Sequence, residues 1–162
     1  MKATRTSELF QTMVAYQGQG NAMPFSIEWD TEKKLGIRIT ASGNYTWDDI
    51  WAMHKQVRSM IDSVDHLVAL YFLNGEYVSR NIPAGLITHG RTLYMDRHPR
   101  NHVTCYVNPN PSMISRMWYQ LMEKTVPSAM SYFRLVTSLE AARKVAAEVA
   151  QQSEQQMESA GN

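Results

Sequence analysis

Hydrophobic residues alternate with polar residues in two short segments near the start of the patterned part of the chain. The first segment runs from Phe25 to Trp29, and the second runs from Leu35 to Ile39 after a polar turn. Alternation with a period of two is typical of a strand that is buried on one face. Because only a few polar residues separate the two segments, they are predicted to pair as a β-hairpin.

Four helices are predicted after the hairpin, each from an apolar stripe at helical spacing. Thr46 stands three residues before Asp49, which predicts a capping box at the start of the first helix. The second helix is predicted from Ala84 to about Met95. Asn110 is the predicted N-cap of the third helix, and Thr137 is the predicted N-cap of the fourth. The apolar face of the third helix is rich in methionine and comprises Met113, Ile114, Met117, Trp118, Leu121 and Met122.

Three apolar runs of strand length lie between these helices, at residues 67–73, 103–107 and 132–136. Continuous apolar runs are typical of parallel strands that are covered on both faces. The resulting order β-β-α-β-α-β-α-β-α predicts an α/β fold with a mixed, mainly parallel sheet of four to five strands, whose first strand is antiparallel. Residues 74–83 are predicted to form a polar loop. Cys105, in the middle of an apolar run, is interpreted as a small buried residue rather than a nucleophile.

The predicted domain spans residues 23–150. Residues 1–22 contain a Gln-Gly-Gln-Gly tract and are predicted to be a flexible N-terminal extension. Residues 151–162 are rich in Gln, Ser and Glu and are predicted to be a polar tail. Because Met23 directly precedes the first strand, translation from Met23 is a further hypothesis.

Composition narrows the function classes. The chain has 162 residues, 44% of them hydrophobic, and a net charge of +1, which disfavours a general nucleic-acid binder. One cysteine excludes an intrachain disulfide, and no histidine pair has zinc-binding spacing on one predicted helix, so no metal site is expected. Nucleophile-elbow, Walker A and dinucleotide motifs are absent, so neither an enzyme nor a cofactor is expected. No apolar run is long enough for a membrane span, and a cytoplasmic location is expected.

Short local motifs follow one another in a set order along residues 23–148. They are MPFSIEWD at 23–30, GNYTWDDI at 43–50, IDSVDH at 61–66, PAGL at 83–86, RHP at 97–99, VNPNP at 107–111 and RLVTSLEAARKVA at 134–146. This order and spacing resembles the SpoIIAA-like branch of the STAS superfamily, the domains of sulphate transporters and anti-sigma-factor antagonists. The resemblance implies a non-enzymatic regulatory module that binds another protein.

The resemblance also bears on a phosphorylation switch. In anti-sigma-factor antagonists a kinase-like partner phosphorylates the second serine of an Asp-Ser-Ser-Gly turn. The matching stretch here is residues 82–85, in which Gly85 agrees and Ala84 replaces that serine. Because alanine has no hydroxyl, the switch cannot operate at this position. Residues 79–85 are nevertheless the predicted contact surface for a partner protein.

An alternative function is a carrier or sensor of a small hydrophobic or anionic ligand. The fold resembles that of CRAL-TRIO domains, and a pocket is predicted between the sheet and the methionine-rich helix, near residues 108–112. Open α/β sheets bind ligands beyond the carboxyl ends of their strands, and two predicted helix N-termini face that rim with free amides. The candidate partner- or ligand-binding residues are Ser79, Arg80, Asn81, Ala84, Gly85, Asn108, Asn110 and Ser112.

Three competing interpretations remain at this stage. The asparagines at the rim are equally well explained as turn and cap residues. A run of cations between the second helix and the next strand forms either a basic patch or a solvated helix end; it comprises Arg91, Arg97, His98, Arg100 and His102. Trp47 and Trp51 either cover the sheet margin or form an aromatic edge through which a second copy binds in a homodimer.

Overall fold

Five strands form one sheet in the computed structural model, which describes residues 23–160. The strands are β1 (Phe25–Trp29), β2 (Gly36–Ala41), β3 (Val68–Phe72), β4 (Asn101–Val107) and β5 (Phe133–Val136). They lie side by side in sequence order; β1 is antiparallel to β2, and the other neighbouring pairs are parallel. The predicted α/β class, the mainly parallel sheet and the antiparallel first strand are confirmed. The predicted extension at residues 1–22 lies outside the described residues.

Six helices complete the described part of the chain. They are α1 (Trp47–Asp62), α2 (Gly75–Arg80), α3 (Leu86–Met95), α4 (Met113–Thr125), α5 (Pro127–Met130) and α6 (Leu139–Ala160). The last helix continues past residue 150 through most of the segment that was predicted to be a polar tail. No helix within residues 23–160 combines the length and the hydropathy that a membrane crossing requires.

The two faces of the sheet are covered differently. On one face α6 lies against β3, β4 and β5 through Ala142 and Ala146, whose small side chains let the helix approach closely. Cys105 is buried under this helix, as predicted, and burial raises the pKa of its thiol to about 11. On the other face α1 packs through Val57 and Ile61 against the central strands. The helices α4 and α5 form a third apolar cluster beside α1, and α3 lies next to it.

The prediction of a polar loop at residues 74–83 was wrong, because this segment contains the helix α2. The first turn of α2 carries Glu76, which pairs with Arg80 one turn later at 2.6 Å. Tyr77 and Val78 pack against the core cluster under α1, which stabilises this short helix from outside. A helix of six residues has too little internal hydrogen bonding to form alone, so its sequence carries only a weak local signal.

The capping box of Thr46 and Asp49 is confirmed. The other predicted helix starts were displaced by one or two residues. Helix α3 begins at Leu86 behind Gly85, rather than at Ala84. The N-cap of α4 is Ser112, not Asn110, and its hydroxyl accepts from the amide of Ser115. At α6 the hydroxyl of Ser138, not Thr137, accepts from the amide of Ala141.

Candidate functional site

An apolar cavity of about 180 Å³ lies on the α1 side of the sheet, beneath α1, α3, α4 and α5. Every residue that lines it is buried or half-buried. The sheet contributes Phe25, Leu70, Phe72, Thr104, Tyr106 and Phe133, and the helices contribute residues such as Met53, Val57, Leu86, Leu93, Trp118, Met122 and Met130. The cavity is therefore a recess beneath the helices that is partly open to solvent.

Helix α3 covers the cavity. Leu86, Gly90, Leu93 and Tyr94 line it from one face of the helix, at the spacing expected for a single apolar stripe. Each of the ten residues of α3 is nevertheless half-buried or exposed. Because burial holds a helix in place more than propensity does, α3 is the least firmly packed wall of the cavity.

Aromatic rings form one wall. The ring of Tyr106 stacks on Phe72 with centroids 4.9 Å apart. Trp118 and Phe133 each approach the same tyrosine ring at 5.6 Å. Burial raises the pKa of the Tyr106 hydroxyl, and neighbouring Tyr45 raises it further, so the phenol stays protonated at neutral pH. This wall offers flat apolar surfaces with a neutral hydrogen-bonding group.

The uncharged side chains of Asn101, Thr104 and Trp118 bring polar atoms into the lining. Asn101 is 5% exposed, and its Nδ2 donates to Thr104 Oγ1 at 3.3 Å. The other amide atom of Asn101, Oδ1, has no hydrogen-bond partner among residues 23–160. The buried Nε1 of Trp118 likewise lacks an acceptor within the described chain. A buried polar atom without a partner destabilises the fold, and both of these atoms belong to residues that line the cavity.

Charged and titratable side chains line one end of the cavity, and each has a partner. His54 Nδ1 lies 3.5 Å from Asp96, and Arg58 binds both the carbonyl and the carboxylate of that aspartate. Burial lowers the pKa of His54, which favours the neutral imidazole. Arg97 donates to the carbonyl of Asn101, and its guanidinium lies over the Tyr132 ring at 3.4 Å.

The methionine-rich helix contributes less to this cavity than its sequence predicts. Trp118 and Met122 of α4 line the cavity, but the remaining members of the predicted apolar face are exposed. Met113 is 74% exposed and Met117 is 61% exposed. The predicted pocket near residues 108–112 is not this cavity, because none of those residues is part of its lining.

A second polar cluster lies at the carboxyl rim of the sheet, around Glu76. Its Oε2 accepts from Asn108 Nδ2 at 3.0 Å, from the Ser112 amide at 3.0 Å and from Ser115 Oγ at 2.6 Å. Arg80 donates to the other oxygen. The Glu76 carboxylate thus accepts a hydrogen bond from the Ser112 amide at the start of α4. This is the helix start whose free amides were predicted to bind an anionic ligand. This carboxylate joins α2 to α4.

The structure brings three of the predicted site residues together and separates the others. Arg80, Asn108 and Ser112 meet at Glu76, which the sequence reasoning placed in a loop and did not select. Ser79 and Asn81 donate to carbonyls within α2, and Asn110 is exposed. Ala84 and Gly85 are exposed at a different place, beside α1.

The segment around Ala84 is held by an aromatic pair. Trp47 Nε1 donates to the Ala84 carbonyl, and the indole stacks on His89 with centroids 4.4 Å apart. Gly85 has φ of 87°, a left-handed conformation, and a side chain there would approach His89 at 3.2 Å. Any side chain at Gly85 would therefore strain the start of α3. Ala84 is exposed, and its side chain can be changed without that strain.

The run of cations between α3 and β4 is divided among separate internal contacts. His98 is buried and lies 3.0 Å from Asp62, while Arg100 donates to the Val64 carbonyl. His102 bonds the carbonyl of Ala146 on the opposite face of the sheet. His98, Arg100 and His102 therefore do not share one basic surface, while Arg91 is exposed on α3. Among residues 23–160, no group of three acidic, histidine or cysteine side chains is placed to hold a metal ion.

Acid sensitivity is expected from the Glu76 cluster. Hydrogen bonds from Ser112, Ser115 and Asn108 hold the pKa of this carboxyl well below its ordinary value of 4.5. A lowered pKa in the folded state contributes stability above pH 4.5, and that contribution is lost as pH falls toward the folded-state pKa. Glu76→Gln should therefore flatten the fall in the free energy of unfolding below pH 4.5, as measured by urea titration at several pH values.

The matched control for this measurement is Glu123→Gln, an exposed position near the other end of α4. The control should follow the wild-type pH profile. If Glu76→Gln retains the full acid-dependent loss of stability, the carboxylate does not join α2 to α4 in the way described.

Comparisons of the chain with protein-family models, with curated proteins and with solved structures gave no match. The resemblance to the SpoIIAA-like proteins therefore stays a prediction. The fold and the site define an α/β protein with a five-stranded, mainly parallel sheet and an apolar cavity on one of its faces.

Proposed function

We propose that this protein binds a small, largely apolar molecule in the cavity beneath α3 and acts as a carrier or sensor of it. The observation that carries the proposal is a cavity of about 180 Å³ lined almost throughout by aliphatic and aromatic side chains. Protein interiors are close-packed, and an empty apolar cavity of this size lowers stability. Retaining such a space is explained when a ligand fills it.

The volume sets the size of the ligand. An apolar cavity of about 150 Å³ accepts benzene, so the present one suits a single aromatic ring with a small substituent. Binding would add apolar contacts to the inner face of α3, where Leu86 and Leu93 are only half-buried. Because α3 has few buried contacts of its own, its order is expected to depend on the ligand. A change in a surface helix is also how a sensor would report occupancy.

Two measurements test this function. Native mass spectrometry of protein purified without denaturation should show extra mass of small-molecule size. Hydrogen exchange with and without toluene or phenol should show slower exchange of α3 amides in the presence of a probe, while α6 on the opposite face is unchanged. A clean apo mass, together with no binding and no protection by either probe, would overturn the proposal.

A second candidate is a STAS-like regulatory module that binds a partner protein through residues 79–85. The favouring observation is that Ala84 and Gly85 are exposed at the start of α3, at the position of the SpoIIAA-like switch. Trp47 holds this segment in place from α1, so its shape does not depend on a partner. The same mass measurement separates the two candidates, because a partner-binding module without a ligand gives only the apo mass.

A further inference from the structure

Two residues that line the cavity, Asn101 and Trp118, each carry a buried polar atom without a hydrogen-bond partner among residues 23–160. Asn101 and Thr104 both lie on the strand β4, at the floor of the cavity. A register irregularity in the β3–β4 pairing skips one residue after Asn101, which allows Asn101 and Thr104 to face the same side of the sheet. Trp118 lines the same cavity from α4 and lies against the Tyr106 ring.

The hydrogen-bonding capacity of Asn101, Thr104 and Trp118 indicates which polar group the ligand carries. One amide atom of Asn101 bonds Thr104, whichever way the amide is turned, and the other has no partner within residues 23–160. Trp118 Nε1 can only donate, and it is likewise without an acceptor among the described residues. A hydroxyl group both accepts and donates a hydrogen bond, so one hydroxyl can meet either requirement.

The charge of the lining argues for a neutral ligand. The guanidinium of Arg58 is taken up by Asp96, and that of Arg97 bonds the Asn101 carbonyl and stacks on Tyr132. Burial holds His54 in its neutral form. An anion moved into this cavity would lose its hydration and would have to compete for Arg97 with the Asn101 carbonyl and the Tyr132 ring, which costs more than burying a hydroxyl.

Ring geometry completes the description. The rings of Phe72, Tyr106 and Phe133 line the same wall, with Tyr106 at 4.9 Å from Phe72 and 5.6 Å from Phe133. Aromatic rings favour stacked or edge-on contact with another ring, so this wall favours an aromatic ligand. The volume allows a single ring with a small substituent.

We infer that the ligand is a neutral single-ring aromatic molecule whose hydroxyl group accepts a hydrogen bond from Trp118 Nε1 and whose ring is held by the aromatic wall. The inference rests on the proposed function, because it names the chemical class that the same cavity takes. It makes hydroxyl recognition, rather than shape alone, the source of specificity. A site that hydrogen-bonds a hydroxyl rejects the analogue that lacks it, because its own buried polar atoms are then left unpaired.

Isothermal titration of the wild-type protein with phenol, toluene and benzoate tests the inference. Phenol and toluene have nearly the same shape and differ in the hydroxyl, while benzoate adds a negative charge. Phenol is expected to bind about tenfold more tightly than toluene, which is the effect of one buried hydrogen bond. Benzoate is expected to bind more weakly than phenol.

A pair of tryptophan variants assigns the effect to the cavity. Trp118→Phe removes the indole donor, keeps an aromatic ring and breaks no hydrogen bond of the free protein within residues 23–160. It should lower the preference for phenol over toluene several-fold. Trp51→Phe is the same change at a half-buried position of α1 outside the cavity lining and should leave the preference unchanged.

The outcomes separate the inference from the function on which it rests. Equal binding of phenol and toluene would overturn the hydroxyl preference and leave the apolar-ligand function standing. Tighter binding of benzoate than of phenol would overturn the neutral ligand class. Binding of none of the three probes would count against the proposed function itself.

Discussion

Replacing Gly90 with leucine is expected to abolish binding of single-ring probes, with affinity lowered by roughly a hundredfold or more because the side chain takes the ligand's space. Gly90 lies on the inner face of α3, and a Cβ there would make only ordinary contacts, 3.6 Å from Leu86 and 3.9 Å from Met122. The added side chain therefore enters the cavity rather than a packed region. Titration with phenol measures the loss.

The same variant should be more stable than the wild type in the absence of ligand. Glycine within a helix is less favourable than leucine by about 1 kcal/mol, and filling the cavity adds apolar contacts. Thr92→Leu places the same side chain on an exposed position of α3 and should leave phenol binding unchanged. Wild-type affinity in a folded Gly90→Leu variant would show that the ligand does not occupy the space beneath α3.

Gly36→Ala is expected to destabilise the fold by about 3 kcal/mol, at the upper end of what overpacking costs. A Cβ on Gly36 would lie 2.9 Å from Cζ of Tyr71 and closer still to Cε2. The Tyr71 ring is 3% exposed and packs in the cluster under α6, so it has little room to move. The melting temperature should fall by roughly 10 °C.

A second variant separates steric overlap from the other effects of losing a glycine. In a Tyr71→Leu background the clashing ring atoms are gone, so Gly36→Ala should cost much less than it does in the wild type. Gly43→Ala is a further comparison, because Gly43 has φ of 60° and no atom within 4 Å of its Cβ position. Additive losses at residues 36 and 71 would contradict the overlap.

The cavity and the Glu76 cluster have different roles: the cavity is the candidate binding site, and the Glu76 cluster is a structural contact. At the carboxyl rim, Glu76 accepts hydrogen bonds from α4 and fixes it to α2. The same helix α4 presents Trp118 to the cavity. The rim residues that sequence reasoning selected thus support one wall of the site, while the ligand-facing side chains lie deeper in the fold.

Some parts of the fold could be predicted from local sequence, and others could not. The hairpin, the three parallel strands and the capping box of Thr46 and Asp49 depend on neighbours within a few residues, so periodicity and cap chemistry were sufficient to predict them. The other N-caps were displaced because Ser112 and Ser138 are as suitable as the residues beside them. Helix α2 depends on tertiary contacts of Tyr77 and Val78 and was missed.

The candidate site was harder to predict from the sequence than the fold. Its lining comes from the sheet and five helices, so no short motif contains it. Asn101 precedes the apolar run that predicted β4, and Trp118 belongs to a stripe in which six apolar residues looked alike. A polar residue at the start of a buried strand was the one available signal for Asn101.

The order of the five strands and the four longer helices, and the absence of known nucleotide-binding and nucleophile motifs, were determined by the amino-acid sequence alone, because each follows from side chains close together along the chain. The short helices α2 and α5 were not predicted. The tertiary structure alone decided which apolar residues of α4 turn inward, where Glu76 finds its partners and where packing leaves a space. A cavity forms where surfaces from distant parts of the chain do not pack completely against each other. Local periodicity cannot predict how well such surfaces fit.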